Sequence, residues 1–132
     1  MRIMLDTNVL ISALLFPASR INAMLEHIIS RHTLVLSSFV VEELREVTRR
    51  KFPARVAAVE TLLAQMSYEF VYTPAQMDQD AFHIRDAKDY PVLYTAMING
   101  VDMLITGDKD FADVDLDVPE VLTPAQFLER FV

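Results

Sequence analysis

Short β-prone runs alternate with helical patterns along the whole of this chain, and that alternation most limits what it can fold into. Arg2 to Leu5 is a short β-like run that stops at Asp6. Val9 to Phe16 reads as a short helix ended by Pro17, and Ser19 as the N-cap of a helix over Ile21–Arg31. Thr33 to Leu36 is β-prone, after which Ser37 or Ser38 caps a helix from about Phe39 to Arg50. Pro53 opens another helix, with Val56, Val59, Leu63 and Met66 on one face. Tyr68 to Tyr72 is a strand candidate, and Ala75 to Phe82 carries a weak helical pattern. Asp89 and Pro91 suit the first turn of a helix through Ile98, which Asn99-Gly100 ends. Val101 to Thr106 is the clearest buried strand, Pro119 to Leu122 a last short one, and Thr123-Pro124 starts a final helix. Strands spaced by helices imply βαβ units. The expected fold is α/β, one domain over residues 1–132, with a central parallel sheet of about four to five strands flanked by helices.

The composition closes off other chemistries. An apolar fraction of 52% and a charged fraction of 23% fit a packed core rather than disorder. The absence of cysteine excludes disulfides, zinc–thiolate sites, iron–sulfur clusters and thiol nucleophiles. Two glycines are too few for a phosphate-cradling glycine loop. No apolar run approaches the ~20 residues of a membrane span, and Asp6 stands where a signal peptide needs positive charge, so a soluble cytoplasmic protein is expected. The net charge of −7 is a poor starting point for binding nucleic acid. Its distribution is more telling. Ten of the eleven aspartates lie between Asp78 and Asp117, whereas Arg45, Arg49, Arg50, Lys51 and Arg55 form a basic cluster.

In a parallel sheet, ligands collect at the carboxyl ends of the strands. Two strands here run into aspartate: Ile3-Met4-Leu5 into Asp6, and Leu104-Ile105-Thr106 into Gly107-Asp108. Both ends fall on one edge of the sheet, so the two carboxylates can converge. An aspartate after a strand is also a common helix N-cap, and that simpler role is open to each alone. On a wheel of about 100° per residue, Val47 falls about 40° from Glu43, Val40 about 60° and Leu44 about 100°. Glu43 therefore borders the apolar face, as a paired glutamate or as a metal ligand. Glu42 turns the other way, toward solvent and Arg45. Asp89 precedes a helix whose amino end faces the same edge. Four ionised acids together repel one another unless a cation joins them. Without cysteine, that cation is a hard one, Mg²⁺ or Mn²⁺. Such sites suit phosphoester hydrolysis. His27, His32 and His83 lack ligand spacing and are expected in surface or capping roles.

Four segments in order, Leu5-Asp6-Thr7-Asn8-Val9-Leu10, Val41-Glu42-Glu43-Leu44, Arg85-Asp86-Ala87-Lys88-Asp89-Tyr90-Pro91-Val92-Leu93 and Leu104-Ile105-Thr106-Gly107-Asp108-Lys109-Asp110-Phe111, resemble the PIN domain family. The likeness is strongest to the VapC-type toxins of prokaryotic toxin–antitoxin systems, and it spans nearly the whole chain. It implies a divalent-metal-dependent endoribonuclease that cleaves single-stranded RNA, using a catalytic and metal-binding quartet of Asp6, Glu43, Asp89 and Asp108. Asp110 is implied as a further ligand, with Asp86, Thr106 and Asn8 auxiliary, Asn8 as a structural residue holding the first loop. An antitoxin partner and a homodimer are also implied. The segment Phe16-Pro17-Ala18-Ser19 departs from the glycines of many relatives.

The basic cluster adds an expectation of its own. Arg45, Arg49, Arg50 and Lys51 are candidate RNA contacts, with Arg45 and Arg49 on an outward stripe of the helix and Glu43 on another face. Two other readings compete. A phosphatase-type hydrolase also starts with a strand ending in aspartate, but the acid it needs two residues later is Asn8 here. A non-catalytic interaction module remains, in which the acids are structural and the basic helix holds a partner.

Overall fold

The computed structural model describes residues 1–108, 111, 114 and 116–132. The order is β1 (Arg2–Leu5), α1 (Thr7–Leu15), α2 (Arg20–Arg31), β2 (Thr33–Ser37), α3 (Ser38–Lys51), α4 (Val56–Gln65), β3 (Glu69–Val71), α5 (Tyr90–Ile98), β4 (Met103–Ile105), β5 (Glu120–Leu122) and α6 (Pro124–Phe131). Short 3-10 turns at Pro53–Arg55 and Ala87–Asp89 lead into α4 and α5. The five strands make one parallel sheet in the order β3-β2-β1-β4-β5. The α/β parallel architecture is the one the alternation implied.

The register pairs Met4 with Val35 on one side and Leu104 on the other. Ile3, Met4, Leu5, Val35, Leu36, Leu104 and Ile105 have no exposed surface, because helices cover both faces. A strand buried on both faces reads as an unbroken apolar run, which is why β1, β2 and β4 stood out. β1 is central. The chain goes outward from it through β2 and β3, then returns to its other side for β4 and β5. The crevice between the carboxyl ends of β1 and β4 is therefore a topological switch point.

Capping fixes where the helices begin. Ser19 Oγ accepts the Asn22 amide, Ser37 Oγ the Val40 amide, and Thr123 with Gln126 closes a reciprocal capping box on α6. Gly100 ends α5 at a φ of +64°, and the Val101 amide reaches back to the Ala96 carbonyl.

One expectation changes. Ala75–Phe82 forms no helix. Asp78 Oδ1 takes the Asp80 amide, a local bond that competes with helical pairing, while the Tyr90 hydroxyl donates to the Asp78 carbonyl and accepts the Ala81 amide. The histidines take surface or capping positions at His83, which is exposed, and at His32, which caps the end of α2; the rings of His27 and His32 also pack against Phe127, with centroids 6.2 Å apart in both cases. Among the described residues no single helix is long and apolar enough to cross a membrane.

Candidate active site

Asp6 ends β1 and caps α1. Its Oδ1 accepts the Val9 amide at 3.1 Å, and its Oδ2 accepts the Thr106 hydroxyl. Its capping role is thus real, yet it uses only part of the carboxylate. Asp6 is 7% exposed. Burial pushes its carboxyl above the ordinary carboxylate range, and the charges of Asp108 and Glu43 push the same way. The bonds from Thr106 and Val9 oppose that rise without cancelling it.

Thr106 sits at the end of β4, nearly fully buried. Its hydroxyl donates to Asp6 and accepts the Asp108 amide at 3.0 Å. One side chain thereby ties together the two strand ends and their aspartates. The Asp6 amide meanwhile donates to the Ile105 carbonyl, which continues the β1–β4 pairing to the edge.

Glu43 comes from α3, which Ser37 starts directly at the end of β2. It is half-buried, as its position beside the apolar stripe implied. Asp89 belongs to the 3-10 turn before α5 and is also half-buried. It stands at the N-cap of α5, but its side chain makes no capping bond there. Asp86 caps the preceding 3-10 turn by accepting the Lys88 amide at 3.0 Å, and Asp89 follows at the end of that turn. Asp6, Glu43, Asp86, Asp89 and Asp108 all line one cavity of about 290 Å³ at the carboxyl edge of the sheet. Asn8 lines it too, as an exposed residue in the first turn of α1. No loop separates β1 from α1, and no hydrogen bond from the Asn8 side chain occurs among the described residues, so a loop-holding role finds no support. Asp110 lies outside the described residues.

Thr7 is a lining residue that sequence reasoning missed. It is 6% exposed, and its hydroxyl is buried without a hydrogen-bond partner among the described residues. A buried hydroxyl lacking a partner costs free energy, of order 1–3 kcal/mol. Its only sequence signal was its place directly after Asp6.

The basic residues divide. Arg45 is held by Glu60 through two bonds of 2.7 and 3.2 Å, and with Arg49 it lines a separate, smaller hollow against α4. Glu42 acts on Arg45 only through its charge, behind Glu60. Arg50 and Lys51 instead line the acidic cavity beside Glu43 and Val47, at i+7 and i+8 from Glu43 on the same stripe. The expected separation of Arg45 and Arg49 from Glu43 therefore holds, while Arg50 and Lys51 share the cavity with it. Lys88 completes the cationic lining.

The donor set fits a hard divalent cation. It is all oxygen, it includes a buried hydroxyl without a partner, and its innermost carboxylate is destabilised by burial and by like charge. The acids ring the cavity; among the described residues no three of them converge as a ready ligand shell.

A family model described as PIN domain matches residues 2–110. The chain belongs to the PIN domain family. Solved structures agree on the fold. VapBC2 from Rickettsia felis, bound to a DNA fragment from its promoter, superposes with a TM-score of 0.68 at 20% identity, covering 92% of this chain and 97% of that one. FitAB bound to an IR36 DNA fragment gives 0.67 at 20% identity, with 92% and 94% covered. VapC20 of Mycobacterium tuberculosis, a sarcin–ricin loop cleaving toxin, gives 0.58 at 14% identity, with 83% and 92% covered. No curated protein matches this chain.

Proposed function

We propose that this PIN domain protein is a divalent-metal-dependent endoribonuclease that cleaves single-stranded RNA as the toxin of a toxin–antitoxin pair. One observation carries the reading: Asp6, Glu43, Asp89 and Asp108, drawn from four separate elements, line one cavity at the β1–β4 switch point, with Asp6 kept in an environment that disfavours its own charge. A buried carboxylate among like charges is a poor structural choice and a good cation site.

A bound Mg²⁺ or Mn²⁺ supplies an activated water and offsets charge at the phosphate. The chain's own groups prepare the place. Thr106 fixes the rotamer of Asp6 and the backbone of Asp108, so both acids are set before substrate arrives. Asp6, Glu43, Asp89 and Asp108 are the proposed ligands. The amino ends of α1 and α5 face the cavity and favour anions there. The likeness to VapBC2, FitAB and VapC20 supports the toxin role and a cognate antitoxin. A homodimer in the cytoplasm is part of the same proposal.

The test is cleavage of a mixed single-stranded RNA pool by the purified protein, with and without Mn²⁺, beside Asp6→Asn. Metal-dependent cleavage lost in the variant is expected. Cleavage that survives in Asp6→Asn, or a protein inert in every metal, overturns the reading in favour of an interaction module.

A further inference from the structure

The cavity that carries the acids has a second wall. Arg50 and Lys51 end α3, and Lys88 stands across from them in the turn before α5. All three side chains are exposed at the rim. Arg50 has only a loose contact with Glu46, 3.8 Å apart with both ends mostly exposed. Among the described residues neither Lys51 nor Lys88 has an ion-pair partner, even with five acids on the same cavity. A cation whose task is to neutralise that cluster would be in contact with it. These face the same space without closing on it.

Helix electrostatics accounts for part of this wall and not for the rest. Basic residues in the last turn of α3 are favoured by its dipole, so Arg50 and Lys51 have a structural reason to be there. Lys88 has none. It lies at an amino end, where the dipole favours anions, and its contribution to the turn is a backbone amide that any residue supplies. Arg50 is also two turns beyond Glu43, about 10 Å along the helix axis. A phosphate met by the acid end and one met by the basic end are therefore different groups.

We propose that Arg50, Lys51 and Lys88 form a subsite for the phosphate adjacent to the one being cut, so that the substrate must be a chain with at least two consecutive phosphodiesters. The proposal rests on the nuclease reading for the meaning of the acid wall. It assigns to Lys88 a binding role the sequence did not suggest, and it leaves Arg45, engaged with Glu60, outside the subsite. A charge-assisted contact to phosphate changes affinity about tenfold or more.

The experiment measures binding, by fluorescence anisotropy in Mn²⁺, of a labelled 2′-O-methyl RNA trinucleotide that resists cleavage. Each of its two linkages is replaced in turn by an uncharged methylphosphonate. The parent protein should lose about tenfold in affinity when the flanking linkage is neutral. In Arg50→Ala/Lys88→Ala the same replacement should cost almost nothing, and the salt slope should fall by about one for each contact removed. Lys88→Gln alone should show part of the effect, and circular dichroism should show all variants folded. A penalty equal in parent and variant overturns the subsite, as does a parent that binds no trinucleotide. Cleavage of unmodified RNA is scored separately. Charge-dependent binding without cleavage would sink the nuclease reading and leave the subsite standing; cleavage with an unaltered penalty would do the reverse.

Discussion

The Thr106 hydroxyl donates a hydrogen bond to the carboxylate of Asp6, a residue one hundred positions earlier in the chain. The bond crosses the junction of β1 and β4 at its carboxyl end, as the Arg2 amide bonded to the Asp102 carboxylate does at the other end. It lets the fold hold a buried carboxylate that, among the described residues, no basic side chain bonds. Thr106→Val removes that donor and strands the Asp108 amide. A loss of about 1–3 kcal/mol in urea unfolding is expected, with Thr106→Ser recovering most of it. Equal stability of the valine and serine variants would show that the bond does no structural work.

Asp6 gives a prediction with a definite sign. Its folded carboxyl is raised, mainly by burial, so the native state holds the proton more tightly than the unfolded chain does. That contribution is fully present below the unfolded carboxylate pKa and is lost as pH rises through the raised value. At neutral pH without metal, Asp6→Asn should therefore melt higher than the parent, and its melting point should vary less with pH across the acidic range. Adding Mg²⁺ or Mn²⁺ should stabilise the parent, by about 2.7 kcal/mol at a hundred times Kd, and do far less for the variant. Parallel pH and metal profiles for the two proteins would contradict this.

His32 works in the opposite direction. Burial first, then the N-terminal ammonium, His27 and Arg31, hold its folded pKa below the ordinary value. The native state prefers the neutral ring. Its contribution is present above about pH 6.5 and is lost as pH falls through the lowered value. Thermal melts from about pH 7.5 to pH 5 should decline more steeply in the parent than in His32→Phe, which keeps the aromatic contacts with Phe127 and Phe131. The effect is small, because the ring is still partly solvated.

Tyr90 anchors the segment before the site. Its hydroxyl bonds to Asp78 and Ala81, while its ring stacks on Phe82 with centroids 4.3 Å apart. Tyr90→Phe keeps the stack and drops the bonds. Amide exchange over residues 78–86 should accelerate while the β1 and β4 amides hold their protection. Uniform acceleration along the chain would mean that this segment does not open separately.

The central strands and the acid positions were legible because they follow from short-range rules. A wholly apolar run such as Met103–Ile105, ending in a polar cluster, has few alternatives, and Ser19, Ser37 and Thr123 mark helix starts wherever they stand. Glu43 was placed by periodicity alone. The segment before α5 was harder, because local periodicity said helix and the chain instead committed its groups to Tyr90 and to an aspartate turn at Asp78. The 3-10 turn ahead of α5, capped by Asp86 while Asp89 stands at the N-cap of α5, was likewise hidden, because such a turn has no sequence period of its own. The grouping of Arg50 and Lys51 with the acids, and of Arg45 with Glu60, depended on where α4 packs, a tertiary fact that no single helix encodes.

The strand order also governs when such a protein can become active during its own synthesis. β1, β2 and β3 can pair as soon as they leave the ribosome, but β4 must come back past them to the far side of β1. Until it does, Asp6 lacks both Thr106 and Asp108. A nascent chain halted between Glu43 and β4 thus carries Asp6 and Glu43 but not the aspartate opposite them. If the protein is the nuclease proposed above, this arrangement delays danger to the message being translated until the chain has emerged through Asp108 of its 132 residues.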